Sequence, residues 1–375
     1  MTKVCHITTV HEPFDTRIFH KEARSLVRAG YDVTLIAPHE KDEIIDGVKI
    51  IALSKPKNRF SRILFTTKEA YRKALEEKAD IYHFHDSELL GCGVKLKKKT
   101  GAKIIYDSHE DTSKQIISKT WIPKIFRKTI SRGFNYYEKR KAKKFDFIIV
   151  VTSEIKKSFF GVGIENIEVI ENYPIIDYFL KIKESTNKKM IGEKIRLIYS
   201  GGIVRVRAIK EIIESLSLVE KNVKLILVGK FQDKGLEEEL RKMATWEKVD
   251  FKGWLSQKEN YQLMEEADIG LACFYPEPNH LKSIPNKLFE YMSAGIPIIV
   301  SDFPLWRNII EKENCGLSVD PKNPKEIARA INYLAENPQK ATQMGENGKR
   351  AVLEKYNWER ESRKLFEIYD NLAKL

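Results

Sequence analysis

The chain has 375 residues, 42% hydrophobic, 10% aromatic and 32% charged, with 66 basic and 53 acidic side chains for a net charge of +13. This predicts a globular protein large enough for two core-bearing domains; its 19 Gly and 13 Pro, scattered without a repeat, exclude collagenous, low-complexity and largely disordered chains. The longest nearly uncharged apolar runs, 147–151 and 296–300, are strand-length, far short of the roughly 20 residues that a membrane-spanning helix needs.

Residues 1–10 carry one Lys and lead straight into a strand-like segment, without the apolar stretch and cleavage site of a signal peptide, so a cytoplasmic location is expected. Cys5, Cys92, Cys273 and Cys315 are far apart, with no paired spacing for zinc or redox chemistry, and are expected to be reduced and mostly buried. The excess positive charge is concentrated early: +9 over residues 1–180 (33 basic, 24 acidic) against +4 for the rest (33 basic, 29 acidic). A basic half points to an anionic membrane, a nucleic acid or a phosphorylated substrate.

In chain order, strand-like residues 4–9, a helical pattern over 16–29 and strand-like 32–37 make a βαβ start, hence a parallel sheet. Strand patterns continue at 80–84, 103–107, 147–151 and 167–170, with helical segments such as 62–78 between them. From 171 to 194 the rhythm breaks into a polar, lysine-rich stretch with Pro174, Ser185, Thr186 and Asn187, where a domain boundary is expected. A second βα series follows, with strands at 196–200, 223–229, 249–251, 269–273, 296–301 and 316–319. The tail is helical, and its last helix, begun by Tyr356, Asn357 and Trp358, carries Leu365, Ile368, Tyr369 and Leu372 on one face. The expected architecture is α/β, two Rossmann-like doubly wound domains over 1–175 and 190–356 facing across a cleft, with 357–375 packing back onto the first.

The most specific segment is SIPNKLFEYMSAG (283–295), a helix that Ser283 or Asn286 can cap and whose first turn tolerates Pro285. Its N–H groups and dipole would seat a pyrophosphate, with Glu290 one turn on at a reach suited to diol hydroxyls. The competing reading is an ordinary helix packing Leu288, Phe289 and Met292 into a core. In the first half, Asp15 can cap the helix that carries Arg17. His83 and His85, two apart on a strand beside Asp86, look superficially like metal ligands, but the sequence identifies no third, and no Asp-x-Asp pair is present. Between residues 114 and 144 there are eleven Lys or Arg and one acid, Glu138, with Trp121, Ile122, Ile125, Phe126, Ile130 and Phe134 at helical spacing. Such a basic amphipathic stretch suits an anionic bilayer surface, or else it completes the first domain with its apolar side. No RNA- or DNA-binding motif accompanies the charge, so nucleic acid is not an expected partner.

Together HEPFDTRIFHKEARSLVRAGYDVTLIAP (11–38), HFHDSELL (83–90), IIYDSHED (104–111), YSGGIVRVRAIKEII (199–213) and PNKLFEYMSAGIPIIVSD (285–302) resemble the family-4 retaining nucleotide-sugar glycosyltransferases of GT-B fold. The resemblance runs along essentially the whole chain, toward bacterial or archaeal polysaccharide-assembly members. It implies a hexosyltransferase that moves a sugar from a nucleoside-diphosphate donor to a glycan or lipid-linked glycan with retention. Such an enzyme works at the cytoplasmic membrane face in surface polysaccharide or glycolipid synthesis. Glu290 matches the glutamate that holds the donor ribose, Lys287 and Leu288 would offer backbone N–H groups to the phosphates, and Arg207, after Gly201 and Gly202, matches the basic residue aimed at the diphosphate. His109 matches the histidine near the anomeric centre, while Arg17, Glu110 and Asp111 are acceptor-side candidates, the acids alternatively beginning a helix. UDP is the default nucleotide; no metal or other cofactor is implied, because helix dipole and basic residues stabilise the leaving diphosphate.

Two departures from the family pattern stand out. The loop over 9–17 lacks the usual glycine and has Pro13 and Phe14 instead. Lys282 occupies the place of the first of two glutamates, so it either reaches an acidic sugar or the diphosphate, or it is a solvated loop lysine. The alternatives are a UDP-sugar 2-epimerase-like enzyme, which shares the architecture, and a non-catalytic sugar-nucleotide-binding scaffold.

Overall fold

A computed structural model describes residues 1–119, 122–160, 163–176 and 194–374. Trp121 of the basic stretch and Ser185, Thr186 and Asn187 of the expected boundary lie outside the described residues. The chain divides into two compact units, Met1–Asn172 with Glu359–Leu375, and Tyr173–Trp358.

The first unit is built on a sheet of eight strands: β1 (Lys3–Ile7), β2 (Asp32–Pro38), β3 (Glu43–Ile45), β4 (Val48–Leu53), β5 (Ile81–Phe84), β6 (Lys103–Ser108), β7 (Phe147–Val150) and β8 (Ile167–Val169). Their order is β3-β4-β2-β1-β5-β6-β7-β8, with every pair parallel except β3 and β4. Strands covered on both faces read as unbroken apolar runs, as Ile104, Ile105 and Tyr106 do, all buried. The β3–β4 hairpin is an addition to the βα rhythm read from the sequence. Its turn residues Asp46 and Gly47 have φ of 50° and 80°, the primed turn whose twist matches that of the strands.

After β1, Asp15 caps the next helix, its carboxylate accepting from the backbone N–H groups of Arg17 and Ile18 at 2.8 and 3.0 Å. The sequence predicts one regular helix over 16–29; the structure winds Thr16–Ala23 as a π-helix and only Arg24–Arg28 as α. The wider turn puts Arg17 and Glu22, five residues apart, on one buried side, and π turns of this kind are frequent at functional sites. Chain order reverses between β1 and β5, the switch point where doubly wound sheets place their ligands beyond the strand ends. The last helix, Trp358–Ala373, buries Leu365, Ile368, Tyr369 and Leu372, and residues 359–375 belong to the first unit.

The second unit has six parallel strands: β9 (Lys194–Ser200), β10 (Asn222–Val228), β11 (Val249–Gly253), β12 (Ile269–Ala272), β13 (Ile298–Ser301) and β14 (Gly316–Val319). Their order is β11-β10-β9-β12-β13-β14, so the switch point falls between β9 and β12. Alternation along β9 sends Leu197 and Tyr199 into one apolar cluster, with Ile212 and Ile331, and Ile198 into another, with Met292 and Trp306. Each such fully buried side chain contributes about 1.5–3 kcal/mol relative to exposure. Among the described residues no helix is long and apolar enough to cross a membrane. Cys5, Cys273 and Cys315 are free and buried, and Cys92 is half-buried.

Candidate active site

At the switch point of the second unit, β9 runs into Gly201 and Gly202, and the Asn286–Ser293 helix begins after β12. Neither Ser283 nor Asn286 caps that helix, contrary to the sequence expectation. Pro285 takes the cap position, which has no side-chain bond, while Ser283 donates its hydroxyl to the Asn279 carbonyl. The Leu288 N–H, expected from the sequence to be open to the phosphates, instead donates to the Pro285 carbonyl at 3.0 Å, so it is the Asn286 and Lys287 N–H groups that no side-chain cap occupies.

Beside this helix start lie two cations. Arg207 Nη1 donates to the Gly202 carbonyl at 3.1 Å, and its guanidinium sits 5.2 Å from the Phe274 ring centre. Lys287 is 7% exposed, its Nζ standing 3.7 Å from the Tyr199 ring centre, and that buried amine has no hydrogen-bond partner. Burial, reinforced by the Arg207 charge and opposed by Glu290, drives the Lys287 amine well below the usual lysine range. Gly201, at φ 134°, leaves both cations uncovered: a Cβ there would stand 3.1 Å from Lys287 Nζ and 3.2 Å from Arg207 Nη1. Gly229 is needed for closeness, since any Cβ on it would collide with the Gly201 carbonyl. Two basic side chains, glycine backbone and a helix start without a side-chain cap make a seat for a multiply charged anion.

Of the predicted donor residues the structure brings together Gly202, Arg207, Lys287 and, on the same helix, Leu288 and the half-buried Glu290. The sequence assigns Lys287 only a backbone role; its buried side chain is the larger feature. Lys282 is exposed on the short helix His280–Lys282, which ends before the Pro285 cap. Lys230 lies 5.3 Å from the ring centre of the exposed Trp254.

The first unit places a polar cluster at its own switch point. Asp107, at the end of β6, is fully buried; Arg17 Nε donates to its Oδ2 at 2.9 Å and Nη2 to its Oδ1 at 3.3 Å. Burial opposes ionisation of Asp107, yet the charges of Arg17 and His109 hold its carboxyl well below the usual range. His109 Nε2 lies 3.1 Å from Asp107 Oδ2, and a carboxylate only accepts, so Nε2 is the donor of that bond. Arg17 is a correction to the sequence expectation. It is 3% exposed, with its remaining Nη1 donating to the Ile170 carbonyl at 2.9 Å, so it positions Asp107 and is not available to an acceptor. Asp111 likewise serves structure, accepting from the Lys114 backbone N–H at 3.1 Å as the cap of the Thr112–Ser118 helix. Glu110 is exposed and accepts from the Gln115 side chain.

Beneath His109 the strands add residues that sequence reasoning left unconnected. His6 on β1 faces His83 on β5 in register, and His85 follows two residues on. Glu22 comes from the π-helix and Tyr369 from the last helix. Burial pushes His6 and His83 well below the usual histidine range and His85 down to about 4, while it raises the Glu22 carboxyl well above the carboxylate range. The spacing of His83 and His85 was the visible half of this cluster; His6 and Glu22 join it only through sheet pairing and the π turn.

Residues 16–173 match the model of glycosyltransferase family 4, and residues 181–351 that of glycosyl transferases group 1. The chain belongs to the family-4 glycosyltransferases. Its fold is GT-B. A solved structure of HepE from Anabaena, in complex with UDP and glucose, covers 100% of both chains at a TM-score of 0.72 and 15% identity. The glycosyltransferase is also similar to an MMP α-(1→4)-mannosyltransferase of Mycolicibacterium hassiacum, at 22% identity over 80% of this chain and 73% of that protein. Similarity extends to the capsular polysaccharide biosynthesis glycosyltransferase CapM of Staphylococcus aureus, at 21% identity over 60% of this chain and 59% of that one.

Proposed function

We propose that this glycosyltransferase moves a hexosyl group from a nucleoside-diphosphate sugar, with UDP as the default carrier, to a hydroxyl of a glycan or lipid-linked glycan, with retention of configuration, in surface polysaccharide or glycolipid assembly. The observation that carries the reading is the buried, unpartnered Lys287 amine beside Arg207 and the bare backbone of Gly201. A buried amine without a partner is costly, and a diphosphate supplies the missing charge. The complex of HepE with UDP and glucose and the capsular role in the name of CapM support the choice of donor and pathway class.

In this reading the second unit holds the donor. Arg207, the Lys287 ammonium, Gly202 and the Lys287 N–H bind the diphosphate, Glu290 accepts from the ribose hydroxyls, and Lys282 turns to the sugar or to solvent. The first unit contributes His109, held by Asp107 and addressed to the transferred sugar, and the exposed Glu110 to the acceptor. The bond from the anomeric carbon to the phosphate oxygen breaks, and the acceptor oxygen attacks from the same face. The departing phosphate oxygen then takes the acceptor proton. Charge developing on the diphosphate meets two fixed cations, so this step uses no divalent ion. The Lys124–Ala142 helix, with Ile125, Phe126 and Ile130 exposed among its basic residues and Phe134 turned to the core, favours docking on an anionic membrane from the cytoplasmic side.

The test is incubation with UDP-, GDP-, ADP- and dTDP-sugars and an acceptor panel that includes lipid-linked glycans, following diphosphate release and the anomeric configuration of the product. Acceptor-dependent release with a retained linkage supports the proposal. Free sugar formed without acceptor favours the epimerase alternative, and binding without turnover favours the scaffold.

A further inference from the structure

We propose that His6, His83, His85 and Glu22 form a closed four-ligand site for a divalent transition metal, zinc in the first place, inside the first unit. Their ligand atoms all lie within 4.8 Å of one another and all four residues are buried. His6 Nδ1 is 2.9 Å from His85 Nε2, and Glu22 Oε2 is 4.0 and 3.9 Å from those two nitrogens. Tetrahedral zinc with bonds of about 2.0–2.1 Å sets neighbouring ligand atoms ~3.3 Å apart, so the separations bracket what the ion requires.

The outward-facing nitrogens support the same assignment. A ligating imidazole keeps one nitrogen for the metal and donates its other N–H to a fixed partner. His83 Nδ1 is 2.7 Å from the Tyr369 hydroxyl, His6 Nε2 is 3.3 Å from that same oxygen, and His85 Nδ1 is 3.2 Å from His109 Nε2 and 3.4 Å from Asp107 Oδ2. Each of the three rings is thus held from outside; the remaining nitrogens of His6 and His85 face each other and Glu22, and His83 Nε2 stands 3.9 Å from Asp107 Oδ2.

Three atoms at that centre lack hydrogen-bond partners: His83 Nε2 and both carboxylate oxygens of Glu22. Arg17 Nε comes within 3.0 Å of Glu22 Oε1, but its single N–H is directed to Asp107 Oδ2 at 2.9 Å, leaving charge attraction without a hydrogen bond. A proton shared by His6 and His85 would account for their close contact and leave the other three atoms orphaned. One cation answers His83 Nε2 and Glu22 Oε2 together and replaces that proton. Four protein ligands leave no open position, so the ion is structural: it ties the π-helix to β1 and β5 and, through His85 and Asp107, sets His109. The site is independent of the donor chemistry proposed above, which uses no metal.

The experiment is metal analysis of tag-free, full-length protein equilibrated with excess Zn²⁺ and freed of unbound ion by gel filtration. About one zinc per chain is expected, falling below about one tenth in Glu22→Gln and in His83→Gln. Less than about one tenth of an equivalent in the wild type, or full stoichiometry in both variants, overturns the assignment. Should the variants fail to fold, cobalt substitution of the wild type decides: the intense visible bands of a tetrahedral ion support the site, and a pale octahedral spectrum or no binding refutes it.

Discussion

Arg17 and Asp107 form a two-pronged ion pair in the interior of the first unit, and the same Asp107 oxygen that receives Arg17 Nε also receives His109 Nε2. Arg17 therefore acts on the candidate site at one remove. Removing one partner of a buried pair strands the other's charge, so Arg17→Met is expected to destabilise the protein by about 3–5 kcal/mol. Because His109 then loses its fixed acceptor, kcat should fall while nucleotide affinity, read by calorimetry, stays near wild type. Urea denaturation and donor titration check the two halves; an unchanged stability would show that Asp107 does not depend on Arg17.

Lys287 sets stability against binding. Its amine is buried beside the Arg207 cation with no hydrogen-bond partner, so Lys287→Met, whose thioether suits the Tyr199 ring, is expected to raise the free protein's stability by ~1 kcal/mol. The same change should weaken diphosphate binding ~10- to 100-fold, since it removes a charge-assisted bond. The sign of the pH effect follows from the lowered lysine: the amine takes up a proton when the diphosphate arrives, so affinity falls as pH rises. Heats of binding should accordingly vary with the buffer's ionisation heat in the wild type and lose that share in the variant.

Glu138 gives the first unit a pH dependence of its own. It is 6% exposed, accepts from the Tyr106 hydroxyl at 2.7 Å, and burial lifts its carboxyl to about 7. A carboxyl raised on folding stabilises fully below its unfolded value and loses that contribution as pH rises through the folded one, here on the order of 3 kcal/mol. Urea denaturation at pH 5 and pH 8 should show that decline in the wild type and not in Glu138→Gln; parallel declines would contradict it.

What the sequence made legible was periodic or local. The parallel strands, the Asp15 cap and the apolar face of the last helix all follow from patterns within a few residues. Asp46-Gly47 between short apolar runs is also a local hairpin signal, available but unused in the chain-order reading. Long-range partnerships were not legible: the Arg17 side chain meets Asp107 ninety positions away, and a 3.6-residue period does not place Arg17 and Glu22 on one side, whereas a π turn does. His83 and His85 could be read as a pair, but only β1 pairing in register supplies His6. At the donor site, motif matching located Arg207 and Glu290, while the importance of the Lys287 side chain came from its burial beside Gly201.

The most direct test of the donor site is calorimetric titration of the wild type with UDP, GDP, ADP and dTDP without added divalent ion, repeated on Glu290→Gln. Glu290 lies on the helix whose uncapped start adjoins Lys287 and Arg207, so one nucleotide should bind clearly and the substitution should weaken it about tenfold, ~1.4 kcal/mol. Absence of binding by every nucleotide at millimolar concentration, or equal affinity in Glu290→Gln, would contradict the account.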